Sequence, residues 1–217
     1  MIANKDKKVL KTEPNLRITP NEEQKEFIKQ VYQYDFNFAL GDFGSGKTQI
    51  SVYYAINAFR KKQFNKIWIT RPILKNNLGI LPAGIDEKLA PYIFPIMQCF
   101  DQCQSRETTD KMRATGALQI MPIDVAKGVT FMDSVVIVDE FQDLTYEDFR
   151  TIITRVSENS KILFCGSKQQ ISKQIGNDSC IHRVINNLKN SGKVGWAELT
   201  SNHRNKALTD IIKLLED

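Results

Sequence analysis

The chain has no apolar run of about 18 residues, the length a membrane-spanning helix needs. Its first residues, MIANKDKKVLKTEPNLR, contain no hydrophobic core of the kind a secretory leader carries. A soluble, cytoplasmic protein without a membrane partner is therefore expected. Cysteine is scarce: Cys99, Cys103, Cys165 and Cys180 are the only four. They form no paired C-x-x-C knuckles, and 217 residues need no disulfides, so reduced thiols are expected. A metal site can be drawn from Cys99, Cys103, Cys180 and His182, but nothing beyond spacing suggests it. No repeat and no low-complexity segment occurs. Charge of one sign is not dominant either: 30 Lys and Arg against 25 Asp and Glu leave +5, which permits a polyanionic partner without requiring one.

What is present is a core. Hydrophobic residues make up 41% of the chain, enough for one well-filled domain and too few residues overall for two of ordinary size. Residues 1–17 are polar and lysine-rich with no apolar period, and read as a mobile basic arm ahead of a domain over 18–217. Thr19-Pro20-Asn21-Glu22 reads as a capping box with proline at the first helical position. Gln24, Phe27, Ile28 and Val31 follow at helical spacing. Gln24 is the polar member of that stripe, either half facing solvent at its edge or held as an amide near a ligand.

Apolar runs over 36–40, 66–70, 117–121, 134–138, 161–165 and 194–199 predict strands. Helical patterns fall at Phe149, Ile152, Ile153 and Val156, at Ile181, Val184, Ile185 and Leu188, and at Leu208, Ile211, Ile212 and Leu215. Such alternation predicts an α/β fold with a mostly parallel sheet and helices on both faces. Residues 74–116, with their scattered glycine and proline, look too broken for one long helix and read as an insertion beside the sheet.

Chemistry gathers where the strands end, the edge at which open α/β sheets bind ligands. The first strand runs into Gly41-Asp42-Phe43-Gly44-Ser45-Gly46-Lys47-Thr48, the pattern G-x-x-x-x-G-K-[ST]. Its glycines let successive N–H groups converge on an anion, the following helix adds its positive dipole end, Lys47 reaches the β- and γ-phosphates, and the Thr48 hydroxyl ligates Mg²⁺. Asp42 opposes phosphate by charge and is expected to point to the surface. The fourth strand ends in Asp139-Glu140. There Asp139 is placed to hold Mg²⁺ opposite Thr48, and Glu140 to orient a water for in-line attack on the γ-phosphate. Gln142 and Gln170 are either solvated loop amides or sensors of the γ-phosphate, with Gln170 the better candidate.

Taken in order, GDFGSGKT, TRPILKNNLGILPAGIDEKLAPYIFP, DVAKGVTF, VVIVDEFQD, CGSKQQIS and LTSNHRNKALTDII resemble the PhoH-like ATPases, a branch of the P-loop NTPases with a RecA-like domain close to superfamily 1 helicases. By that resemblance Gln24 reads adenine, Lys47 and Thr48 contact phosphate and magnesium, Asp139 and Glu140 are the metal and water residues, and Gln170 is the sensor. The resemblance implies an ATPase, with ATP and Mg²⁺, associated with RNA or other single-stranded nucleic acid. Thr70, Arg71, Lys127 and Lys168 are then candidates for backbone contact. A nucleotide-gated interaction protein and a small-molecule kinase with a lid over Arg106, Lys111 and Arg113 are the alternatives; Glu140 argues against the kinase. Arg204 resembles the family's arginine near the C-terminus. Acting on a neighbour's phosphates, it would require a closed homo-oligomer, for which the likeness suggests a hexameric ring.

Overall fold

Runs of apolar residues leave a strand with no face for water, so such strands pair in the interior of a sheet covered on both sides. The computed structural model of the chain describes residues 16–73 and 85–201. All six expected strands form, their ends displaced by one residue at most: β1 (Phe36–Gly41), β2 (Lys66–Arg71), β3 (Leu118–Pro122), β4 (Ser134–Asp139), β5 (Lys161–Gly166) and β6 (Gly195–Leu199). They make one sheet in the order β3-β2-β4-β5-β1-β6, every pairing parallel. β5 therefore lies between β1 and β4, and Ala39, Cys165 and Asp139 stand side by side across these three strands.

Strand side chains alternate between faces, and β4 divides accordingly. Val135 and Ile137 join the core beneath α1 (Glu22–Gln33), α2 (Lys47–Arg60), α3 (Ile85–Cys103) and α4 (Arg106–Ala114). Val136 and Val138 join the opposite core, covered by α5 (Ile123–Ala126), α6 (Tyr146–Ile153) and α7 (Ile181–Leu188). The second core is aromatic: Phe38 stacks on Phe164 with ring centres 4.9 Å apart, and Phe149 lies 5.1 Å from Phe164. Cys103 belongs to the first core and Cys180 to the second, so the sheet separates two members of the four-residue metal site drawn from the sequence.

Three local expectations change. Asn21, not Thr19, caps α1: its side chain accepts the Gln24 N–H at 2.8 Å while Gln24 Oε1 accepts the Asn21 N–H at 3.1 Å. Asparagine caps at least as well as threonine, and the later start places Glu22 and Glu23 in the first turn, where the helix dipole favours them. The region expected to be too broken for a long helix contains α3, 19 residues with Pro91 and Pro95 inside it. An interior proline costs roughly 3 kcal/mol. Burial of Ile96 and Phe100 in the core shared with α2, at roughly 1.5–3 kcal/mol each, offsets that cost. Together α3 and α4 carry the connection from β2 to β3. Finally, Leu16 packs on the first core and the Arg17 N–H donates to the Cys103 carbonyl at 3.1 Å, so the chain is docked slightly ahead of residue 18. The rest of the expected arm, the end of the α3 segment nearest β2, and the helical pattern at 208–215 lie outside the described residues.

Candidate nucleotide-binding site

The loop from Gly41 to Gly46 joins β1 to α2. Gly44 and Gly46 have φ of 75° and 79°, left-handed values that glycine adopts without strain, and they turn the chain so that Lys47 opens the helix. At Gly41 a Cβ would collide with the Leu199 carbonyl of β6. Asp42 is exposed, as expected, and Phe43 is half exposed. Its main chain faces inward: the Asp42 carbonyl accepts from Ser45 Oγ and from Lys47 Nζ, both at 2.9 Å, and the Gly41 carbonyl accepts from Lys47 Nζ at 2.7 Å. The ammonium is thus folded onto the loop's own oxygens. Burial pushes the Lys47 pKa below its ordinary value, opposed by the charges of nearby acids, Glu140 and Asp139 among them.

Opposite the loop, the end of β4 presents two acids in different settings. Asp139 is buried, and its Oδ1 accepts from Thr48 Oγ1 at 2.6 Å, closing the gap from α2 to β4. Burial and the neighbouring Glu140 charge hold the Asp139 carboxyl above the usual carboxylate range, with Thr48, Arg71 and Lys47 acting the other way. A hydroxyl and a carboxylate at this separation form a donor set suited to Mg²⁺ with its remaining waters, so these residues fit the ion the motif implies. Glu140 is in the left-handed region at φ 53°, uncommon for a residue with a Cβ and concentrated at functional sites. The turn throws its carboxylate off the strand line, where Gln142 Nε2 donates to its Oε2 at 2.7 Å.

Two residues have contacts in this site that the sequence did not indicate. Arg71, expected on nucleic acid, stands with Nη1 3.7 Å from Asp139 Oδ2 and Nη2 3.4 Å from Glu140 Oε1. The reason is strand order: β2 is the neighbour of β4, so its last side chain meets the two acids. Gln142, the weaker of the two sensor candidates, is 1% exposed and uses both ends of its amide. Besides holding Glu140, it accepts the Ser167 N–H at 3.1 Å and approaches the Gln170 carbonyl at 3.4 Å. Gln170 itself stands in the short helical turn over 168–170 with its Nε2 buried and without a hydrogen-bond partner.

The other candidates divide. Gln24 is buried, its Oε1 engaged in the α1 cap. Thr70 is 1% exposed near the end of β2, its Oγ1 buried without a hydrogen-bond partner. Lys127 is tied to Asp124 and Asp148 at 2.8 and 2.7 Å, fastening α5 to α6, so its charge is already offset. Lys168 is exposed. On α4, Arg106 and Lys111 pair with Asp101 and Glu107. Arg204 lies outside the described residues; just before it in sequence, Glu23 accepts the N–H groups of Thr200 and Ser201 at 2.9 and 3.1 Å. Among the described residues no helix is long and apolar enough to cross a membrane.

A parallel sheet whose first strand feeds a glycine-rich phosphate loop, with a strand inserted between it and the acid-tipped strand, defines a RecA-like P-loop NTPase fold. Residues 17–216 match the family model described as PhoH-like protein, and the chain belongs to that family. It is 32% identical over 182 residues to Protein PhoH of Escherichia coli K12, covering 81% of this chain and 51% of the relative. The PhoH-like protein of Mycobacterium tuberculosis H37Rv is 29% identical over 180 residues, covering 82% and 51%. The chain thus spans about half the length of these curated relatives. Among solved structures, the Hef helicase domain of Pyrococcus furiosus superimposes with TM-score 0.56 at 15% identity, over 87% of this chain and 40% of that one. The UvsW helicase of bacteriophage T4 gives 0.53 at 13%, over 85% and 61%. These likenesses concern the fold.

Proposed function

We propose that this chain binds ATP with Mg²⁺ between the phosphate loop and the ends of β4 and β5, and hydrolyses it, as an ATPase acting on single-stranded nucleic acid, RNA in the first instance. The observation that carries the reading is the meeting of Thr48 and Asp139 at 2.6 Å with Glu140 next in sequence and fixed by Gln142. Lys47 leaves the carbonyls of Gly41 and Asp42 for the phosphates, to which the loop's N–H groups also point. Thr48 and Asp139 hold the magnesium ion, which when bound neutralises phosphate charge. Glu140 orients the attacking water and receives its proton. Gln170, whose Nε2 is buried without a hydrogen-bond partner, is the γ-phosphate sensor, and Gln24 lies on the adenine side. Exposed Lys168 and the net charge of +5 support a nucleic-acid partner. We assign the assembly as a ring of identical subunits, six by family likeness, with Arg204 facing the next subunit's site.

A second reading, a nucleotide-gated interaction protein that moves no nucleic acid, is favoured by one observation: Thr70, Arg71 and Lys127 are all buried or paired within the chain. ATP turnover measured with and without single-stranded RNA separates the two. Stimulation supports the first and indifference the second. In both, Lys47→Ala abolishes nucleotide binding while Glu140→Gln keeps binding and loses hydrolysis, since one removes phosphate contacts and the other only the water activator. A Glu140→Gln protein with full turnover overturns the role of Glu140 as the water activator, and wild type that turns over no ATP with or without RNA overturns the ATPase assignment.

A further inference from the structure

Glu140 stands between two unlike holds. Gln142 grips its Oε2 at 2.7 Å from within the protein, with the far end of the same amide locked to the Ser167 N–H. Arg71 reaches Oε1 only at 3.4 Å and Asp139 only at 3.7 Å, and its side chain is 27% exposed. Guanidinium–carboxylate pairs that are fully made close to about 2.7–2.9 Å. Arg71 is therefore shared between two acids and committed to neither.

The local charges explain the sharing. Lys47 and Arg71 face Asp139 and Glu140, two cations against two acids, so the site balances without a ligand. Once Asp139 is engaged by a divalent cation, Arg71 loses one of its partners. A γ-phosphate placed for attack by a water on Glu140 would bring a further anion to this corner of the site, beside the Glu140 carboxylate that Arg71 meets at 3.4 Å. The guanidinium fork suits phosphate oxygens as well as carboxylate, and Arg71 is anchored at the end of β2, beside β4, so its side chain has only to pivot.

We propose that Arg71 exchanges Asp139 and Glu140 for the terminal phosphate of the bound nucleotide, making it a same-chain cation that distinguishes ATP from ADP. Gln142 keeps Glu140 in place when Arg71 leaves. The inference rests on the proposed nucleotide site and adds to it a residue that needs no neighbouring subunit.

The test measures binding, not turnover. Fluorescent ADP and a fluorescent, non-hydrolysable ATP analogue, each with magnesium, are titrated into wild type, Arg71→Ala, Arg71→Lys and Lys47→Ala, with near-ultraviolet circular dichroism as the check of folding. Arg71→Ala is expected to weaken the triphosphate about tenfold or more, the worth of a charged hydrogen bond, and to leave ADP within about twofold. Arg71→Lys, which keeps the charge but loses the fork, recovers part of the difference. If Arg71→Ala does not fold, the Arg71→Lys ratio decides alone. An unchanged ratio of the two affinities, or equal losses for both, overturns the role of Arg71 while leaving the nucleotide site standing. Wild type that binds neither nucleotide, or Lys47→Ala that binds both normally, overturns the site itself and the inference with it.

Discussion

Replacing Gly166 with alanine inserts one methyl group at the end of β5, where no room exists. The new Cβ would lie 2.6 and 2.7 Å from ring carbons of Phe141 and 2.8 Å from Gln142 Oε1. Neither neighbour yields easily. Phe141 is fully buried, its ring packed edge-on against Phe38 and Phe164 with centres 5.7 and 5.6 Å away. Gln142 is bonded at both ends of its amide. The backbone raises no objection, because Gly166 is outside the left-handed region, so the whole effect is overpacking, about 1–3 kcal/mol. For a chain of this size each kcal/mol lowers the melting temperature by roughly 2–4 °C, which gives a fall of about 2–12 °C. Gly128→Ala is the matched control: its Cβ meets only the Val125 carbonyl at an ordinary 3.5 Å, and its stability should stay within about 0.5 kcal/mol of wild type. Calorimetry of the three proteins decides. Wild-type melting in Gly166→Ala, or equal losses in both variants, would refute the packing argument. A second consequence reads out separately: the methyl group pushes Gln142 from Ser167, so ATP turnover should fall further than nucleotide affinity does.

Gln142→Leu removes the amide's bonds to Glu140, Ser167 and Gln170 while roughly keeping volume, and is expected to lower turnover about tenfold or more with nucleotide binding retained; full turnover in this variant would show that Glu140 needs no such support. The Lys127–Asp148 pair sets a pH dependence. Partial burial raises the Asp148 pKa, but hydrogen bonds from Lys127 and Thr145 together with the Lys127 charge outweigh it and hold the carboxyl below its ordinary value. A depressed folded-state pKa stabilises above the ordinary carboxylate value, and the gain is lost as pH falls through the folded one. Lys127→Met should therefore melt below wild type at neutral pH, by no more than about 1 kcal/mol, and the gap should close below about pH 4. A gap that persists in acid would assign the loss to packing of the lysine stem instead.

The strands were legible because each is a run of apolar residues too short for a helix and bounded by polar ones, and the phosphate loop because every position in it has a separate mechanical reason. The α1 cap was misplaced because two overlapping patterns compete, and the reciprocal bonds of Asn21 and Gln24 that decide between them exist only in the folded chain. α3 was hidden by Pro91 and Pro95, whose local cost is visible in sequence while the offsetting contacts with α2 are not. Arg71 illustrates a different blindness. Its place after a strand marked it as a site residue, but which residue it meets depends on which strands are neighbours, and spatial order is not written in chain order. The same holds for Gln142, whose two partners come from the ends of β4 and β5.

With β5 lying between β1 and β4, the sheet itself is the gauge of the site. Ala39, Cys165 and Asp139 share one row, so loop and acid are separated by two strand spacings of about 4.8 Å each, and main-chain bonds fix that width. No side-chain substitution can adjust it by a fraction of an ångström. The only other setting is a register slip, which moves a strand by about 3.3 Å and sends each of its side chains to the opposite core, where none of them fits. Repacking either core away from Phe141 and the strand ends should accordingly change how long the fold survives heating while leaving turnover per folded molecule untouched. Variation in what the chain acts upon must then be written in the loops at the strand ends.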